Sequence, residues 1–149
     1  MKPTPKQFGL VLAVVGVLFV IAVFNFAHSK RKNIVRVNSA NPALLAAIKE
    51  AQSGLPEFEK HLSNPKSDEG FAVKGTFLTP EGKEYLWVKS PTLEKGTFTG
   101  KLDQQPIAVA GKQKGDTVSF AEKDAVDWLI KDADGIKGAY TEKVLSNQP

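Results

Sequence analysis

Four carboxylates, Glu84, Asp103, Asp116 and Asp127, stand beside turn residues or aromatics. Two of them in one cleft is what acid–base hydrolysis of a sugar or ester requires. Asp116 follows Gly115 and Asp103 precedes Gln104, settings in which a carboxylate caps neighbouring backbone amides, so the turn role outweighs the catalytic one there. Glu84 and Asp127 lie close to Trp87 and Trp128, where a carboxylate either orients a ligand or accepts the indole N–H of a core tryptophan. No catalytic residue is assigned; Glu84, Asp103 and Asp127 are the carboxylates from which a catalytic pair would be drawn. His61 is the one imidazole beyond the N-terminal region, the other being His28. It sits between Lys60 and Leu62 with nothing that resembles a metal-ligand set beside it, as expected of a solvated helical histidine. The chain has no cysteine, which removes disulfides, thiolate metal sites and a cysteine nucleophile. Phosphate loops, dinucleotide fingerprints, nucleophile elbows and calcium loops are also missing. Neither a metal nor a cofactor is expected.

Aromatics with polar handles are the other chemistry-bearing group: Tyr85, Trp87, Trp128 and Tyr140. In a strand Glu84-Tyr-Leu-Trp-Val88, alternation puts Tyr85 and Trp87 on one face and Leu86 and Val88 on the other. If Leu86 and Val88 point inward, the aromatic face meets solvent and is the best candidate ligand or peptide platform in the chain.

These residues need an α+β scaffold. Asn41-Pro42 supplies a helix cap and a first-turn proline, and Leu44, Leu45, Ile48 and Ala51 follow at helical spacing. Gly54 is expected to end that helix. Pro56 then opens a second, short one through Phe58 and Leu62, up to Asn64-Pro65. After Ser67 the period becomes two. Strands are expected at Phe71–Phe77, Glu84–Lys89, Thr97–Leu102, Ile107–Ala110 and Thr117–Phe120, with turns at Pro80-Glu81-Gly82 and Asp132–Gly135. Ala125–Lys131 is ambiguous between strand and helix, and Ala139–Leu145 closes the fold as either. Connections this short demand hairpins, hence one or two helices on a small, curved antiparallel sheet.

The N-terminal region reads differently. Phe8 to Ala27 are twenty residues without a charge, fourteen of them Leu, Ile, Val or Phe; as a helix they span about 30 Å, the thickness of a bilayer's hydrocarbon core. A cleaved secretory signal is the rival, but its apolar run is about 7 to 15 residues. A single-pass anchor is therefore expected, with Lys30, Arg31, Lys32 and Arg36 as a basic flank at the lipid surface. Gly9, Ala13 and Gly16 share one helix face, against which a second helix can pack closely. Residues 1–36 are thus tail, anchor and flank, and 37–149 one small domain. The charge divides the same way: of the net +4, six basic residues lie in the first 36 positions without an acid, whereas 14 Lys face 16 Asp and Glu from residue 37 onward. The domain is thereby a poor partner for nucleic acid.

Several phrases together resemble the YegJ-like bacterial family, domain of unknown function 2314. They are Phe71-Ala-Val-Lys74, Glu84-Tyr-Leu-Trp87-Val, Phe98-Thr-Gly100 with Asp103 and Pro106, Gly115-Asp116, Asp127-Trp128 and Gly138-Ala-Tyr140-Thr141. Their order fits across roughly residues 41 to 145. Two positions depart from the pattern: Tyr85 where a histidine is usual, and Ala139 where a second glycine is usual. The resemblance implies a compact α+β fold and brings no reaction, substrate or cofactor.

The expected function is that of a membrane-anchored, non-enzymatic binding or accessory module. Membrane lipid is its partner through the N-terminal helix and basic flank, and a protein partner is possible. Ligand contact is assigned to Tyr85, Trp87, Trp128 and Tyr140, and the alternative is a carboxylate-dependent hydrolase acting on an envelope or small-molecule substrate.

Overall fold

The computed structural model describes residues 41–147. The expected membrane helix at 8–27 and its basic flank lie outside them, and no helix among the described residues is long and apolar enough to cross a membrane.

One helix, α1 (Pro42–Ser63), precedes six strands: β1 (Gly70–Thr79), β2 (Gly82–Glu94), β3 (Thr97–Leu102), β4 (Thr117–Ala121), β5 (Ala125–Asp132) and β6 (Gly135–Gly138). A 3-10 turn at Glu122–Asp124 separates β4 from β5, and a short helix, α2 (Tyr140–Ser146), ends the fold. The strands form one open antiparallel sheet in the order β4-β3-β2-β1-β5-β6, so the fold class is α+β.

The N-terminus of α1 is capped as expected: Asn41 Oδ1 accepts from the amides of Ala43 at 2.9 Å and Leu44 at 3.4 Å, with Pro42 in the first turn. The helix does not stop at Gly54, and the two expected helices are one. Its buried stripe, Leu44, Ala47, Ala51, Leu55 and Phe58, keeps steps of three and four straight through the Gly-Leu-Pro segment. Pro56 removes one helical hydrogen bond at a cost of about 3 kcal/mol. Burying Leu55 and Phe58 returns about 1.5–3 kcal/mol each, so continuity wins. Gly54 is there for contact: a Cβ at that position would come within 2.8 Å of the Trp128 ring.

The register partners Val73, Val88 and Trp128 put the apolar residues of three strands on one face. With Leu86, Phe98, Leu102, Val118, Phe120 and Ile130 they form the core under α1. Phe58 is its hub, with ring centroids 5.6 Å from Trp128, 5.9 Å from Phe71 and 6.2 Å from Phe98.

Other expectations change in detail. β2 continues to Glu94 through an irregularity between Lys89 and Thr92, where Ser90 takes φ 48. Ile107–Ala110 is loop and not strand, because Pro106 cannot donate to a ladder and the next three amides are taken by a side chain described below. Ala125–Lys131 resolves as strand, and the segment from Ala139 as helix. β6 carries no alternation for a sequence reading to find: its four residues, three of them exposed, pair with β5 from Leu129↔Gly138 to Asp132↔Gly135.

Candidate binding face

The sheet's second face is built by the other half of the same alternation. Trp87, Lys74 and Asp127 are register partners on β2, β1 and β5, so they form a row across three adjacent strands. Among the described residues no helix lies across this face; only the first turn of α2 reaches it.

Lys74 is 5 % exposed, and an ammonium this deep needs partners for its protons. Its Nζ donates to Thr141 Oγ1 at 2.9 Å and to Glu142 Oε1 at 2.6 Å, and it lies 4.7 Å from the centroid of the Trp87 ring. Trp87 Nε1 donates to the same Glu142 oxygen at 2.9 Å. The Thr141 hydroxyl in turn donates to Asp127 Oδ2 at 2.5 Å. Asp127 also accepts the amides of Tyr140 at 3.1 Å, Thr141 at 2.8 Å and Trp128 at 2.8 Å. It thereby caps α2 from a neighbouring strand, which α2 needs because its own N-cap residue, Ala139, offers no side chain for the purpose. Ala139 sits in the left-handed region at φ 54, a conformation that favours glycine. That accounts for the glycine that the family resemblance leads one to expect here.

Four of the six phrases that carry the family resemblance thus contribute one side chain each to a single network: Lys74, Trp87, Asp127 and Thr141. Thr141 is 2 % exposed and Asp127 1 %, and the Thr141 hydroxyl is engaged as both donor and acceptor, so neither faces solvent, whereas the Glu142 side chain is half-exposed.

The four aromatics assigned to ligand contact part company here. Leu86 and Val88 are fully buried, so Tyr85 and Trp87 do lie on the second face, each half-buried. Trp128 is 1 % exposed in the core, its Nε1 donating to Ala51 O of α1 at 2.8 Å. That takes it out of any ligand contact. Tyr140 packs edge-on against Trp128 at 5.8 Å, with Lys143 Nζ 5.2 Å over its ring. Burial and the carboxylates of Glu50, Glu57 and Asp127 raise its phenol above the ordinary value.

Nor does the structure bring the three candidate carboxylates together as a free pair. Glu84 projects from the core face, opposite Asp127. Its carboxylate accepts three consecutive amides, Ile107 at 2.7 Å, Ala108 at 2.9 Å and Val109 at 3.1 Å, and so straps the loop after β3 over the core. Asp103 is half-exposed and paired with Lys89 at 3.3 Å. Asp116 accepts the Gln113 amide at 3.0 Å, the turn role expected of it. His61 is part of a clamp: its Nδ1 lies 2.8 Å from Glu69 Oε1, while Glu69 Oε2 accepts the Lys66 amide at 2.9 Å. Those bonds, the Lys66 amide foremost, lower the Glu69 carboxyl below its ordinary value.

One carboxyl pair escaped the sequence reading. Burial, followed by the charge of Glu122 and a hydrogen bond with it, raises the Glu59 carboxyl. Glu59 borders a shallow hollow between α1 and β2 that Pro56, Leu62, Pro91 and Leu93 also line. No local signal marks the pair, since α1 and the 3-10 turn meet only through the tertiary fold. No group of three or more His, Cys, Asp or Glu among the described residues can hold a metal ion.

No curated protein and no solved structure matches the chain. A family model does, over residues 41–148, which is the whole folded unit described above. The chain belongs to DUF2314, a family of uncharacterized proteins conserved in bacteria.

Proposed function

We propose that this chain is a non-enzymatic binding or accessory module, held at a membrane by residues 8–27, whose recognition surface is the sheet face turned away from α1. The observation that carries the reading is Trp87: a half-buried indole on an uncovered face, locked by Glu142 through its N–H and by Lys74 over its ring. A fixed aromatic of this kind gives contact area at little entropic cost on binding. The anchor rests on the length and apolarity of the N-terminal run.

The test places a photoreactive residue in the full chain in intact membranes, at Thr76 beside Tyr85 in one variant and at Ser53 on α1 in another. A discrete adduct from Thr76, lost when Trp87→Ala is added and not formed from Ser53, is the expected result. Equal labelling from both positions, or none from either, removes this reading. Release of the chain from the membrane pellet by alkaline carbonate would remove the anchor.

The hydrolase alternative has one observation in its favour, the Glu59–Glu122 pair. The raised Glu59 carboxyl beside the like charge of Glu122 suits shared-proton chemistry. Turnover of a peptide or ester substrate that Glu59→Gln abolishes, and Glu84→Gln leaves unchanged, would establish it.

A further inference from the structure

The second face is richer in cations than the domain as a whole. By register, Lys74, Lys83, Lys89, Lys101 and Lys131 all project from it, as partners of Trp87, Leu78, Ala72, Lys89 and Gly70 in turn. The acids on this side are Asp127, which is buried and saturated, Glu94 at the far end of β2, Asp103, paired with Lys89, and Glu142, paired with Lys74, which leaves Lys83, Lys101 and Lys131 in excess. On the helix side, by contrast, Lys137 meets Glu57 in an ion pair and the Glu59 and Glu122 carboxyls meet each other. A domain whose charges nearly cancel in total therefore presents one sheet face that favours anions.

At the centre of that face, two donors from adjacent strands, Lys74 Nζ and Trp87 Nε1, converge on one oxygen, Glu142 Oε1. The donors are fixed by the sheet and by the core behind it. The acceptor is carried by α2, a seven-residue helix, and its side chain is half-exposed. Resting on the reading of this face as the recognition surface, we infer that it binds a carboxylate-bearing ligand, an acidic peptide segment, and that Glu142 stands in the ligand's place until it is displaced. An extended peptide brings every second side chain to the same side about 6.5–7 Å apart. The diagonal from Lys74 to Lys89 across β1 and β2 is about 7–8 Å, so acids two residues apart meet both lysines. Phosphate recognition fits less well: both arginines of the chain, Arg31 and Arg36, precede the domain, and no planar fork is available for bidentate contacts.

The experiment follows the two indole N–H resonances of the full chain in zwitterionic detergent, assigned with Trp87→Phe. The titrants are a capped octapeptide with Asp at alternate positions, the same peptide with Asn, and a single-stranded oligonucleotide. The Asp peptide is expected to move the Trp87 indole resonance and leave that of Trp128 in place, whereas the Asn peptide moves neither. Glu142→Gln should tighten Asp-peptide binding about tenfold by removing the competing charge, and Lys89→Gln, an exposed change, should weaken it several-fold. An unchanged or weaker affinity in Glu142→Gln overturns the inference, and so does oligonucleotide binding as strong as the peptide's. If the peptide moves no indole while the Thr76 adduct still depends on Trp87, the surface stands and the carboxylate assignment falls. If the Thr76 adduct fails as well, both fall.

Discussion

Trp128 and Trp87 stand on strands separated only by β1, point to opposite faces of the same sheet, and each donates its indole N–H to an oxygen at 2.8–2.9 Å. What differs is the acceptor. Trp128 bonds a backbone carbonyl of α1 inside a dry core, where Gly54 and Gly138 have given up their side chains to let it in: a Cβ at Gly138 would fall 2.3 Å from the Trp128 carbonyl oxygen. Trp87 bonds a carboxylate that is half in solvent and belongs to a helix of two turns. One tryptophan is therefore positioned by packing and the other by charge. Only the second can exchange its partner without unfolding the domain.

The largest expected effect tests that asymmetry directly. Trp128→Ala should cost about 3–5 kcal/mol, the range for losing a large buried aromatic and leaving its cavity. Trp87→Ala should cost about 1 kcal/mol or less, because its ring is half solvated already and Glu142 can turn to water. Urea unfolding of residues 37–149 gives both numbers. Comparable losses at the two positions would mean that the second face is core after all.

Next in size is the junction between the two faces. Asp127 is 1 % exposed and accepts four hydrogen bonds, three of them from α2's first turn. Asp127→Asn puts an amide donor where an acceptor is needed and should cost about 2–3 kcal/mol. Because the cap belongs to α2, the Lys74 and Trp87 contacts to Glu142 should loosen with it, visible as a shift of the Trp87 indole resonance. A stability loss with that resonance unmoved would show that the cap and the face are independent.

How far the sequence foretold this division depends on what each residue's neighbours carry. Tyr85, Leu86, Trp87 and Val88 alternate strictly, and the two-residue period sorts them onto the correct faces. Trp128 follows buried Asp127 and precedes half-buried Leu129 and buried Ile130, a run without clean alternation, so nothing local marks it as core. Gly54 and Pro56 are ordinary stop signals; the contact that overrules them is with a ring 74 residues further along the chain. Glu84 was legible as a chemically interesting carboxylate but not as a strap, since the amides it grips lie beyond β3. The Lys74 network was invisible for the same reason, although the family phrases held four of its members.

Glu84 supplies a third test, now on the core face. Glu84→Gln cannot accept at all three amides, so opening of the loop should become easier by about 1.4 kcal/mol, which is a tenfold faster hydrogen exchange at Ile107, Ala108 and Val109. Exchange at Thr141 should be unaffected, because that amide answers to the opposite face. Acceleration at both would couple the strap to the site.

A smaller, stabilising effect is expected at Ala139. A non-glycine residue in the left-handed region costs about 1–2 kcal/mol, and glycine returns part of that in chain entropy. Ala139→Gly should therefore raise stability by about 0.5 kcal/mol. The start of α2 should stay where it is, so Glu142 should keep its contacts and the Trp87 resonance its position.

The smallest effect concerns the seam where α1 hands the chain to β1, and its sign follows from protonation. The Lys66 amide and then His61 hold the folded Glu69 carboxyl below its ordinary value of 4.5. A depressed acid adds stability that is complete above its unfolded value and disappears as pH falls through the lower, folded one. Glu69→Gln should accordingly lower the urea midpoint at pH 7, and the gap from the unsubstituted protein should narrow as pH falls below 4.5 and through the lowered native value. His61 is 30 % exposed and the bond from the Lys66 amide lies at the surface, which keeps the gap modest although the Glu69 side chain itself is covered. A gap that persists unchanged at pH 3 would mean that Glu69 holds this seam by packing, as Trp128 holds the core, and not by charge, as Glu142 holds Trp87.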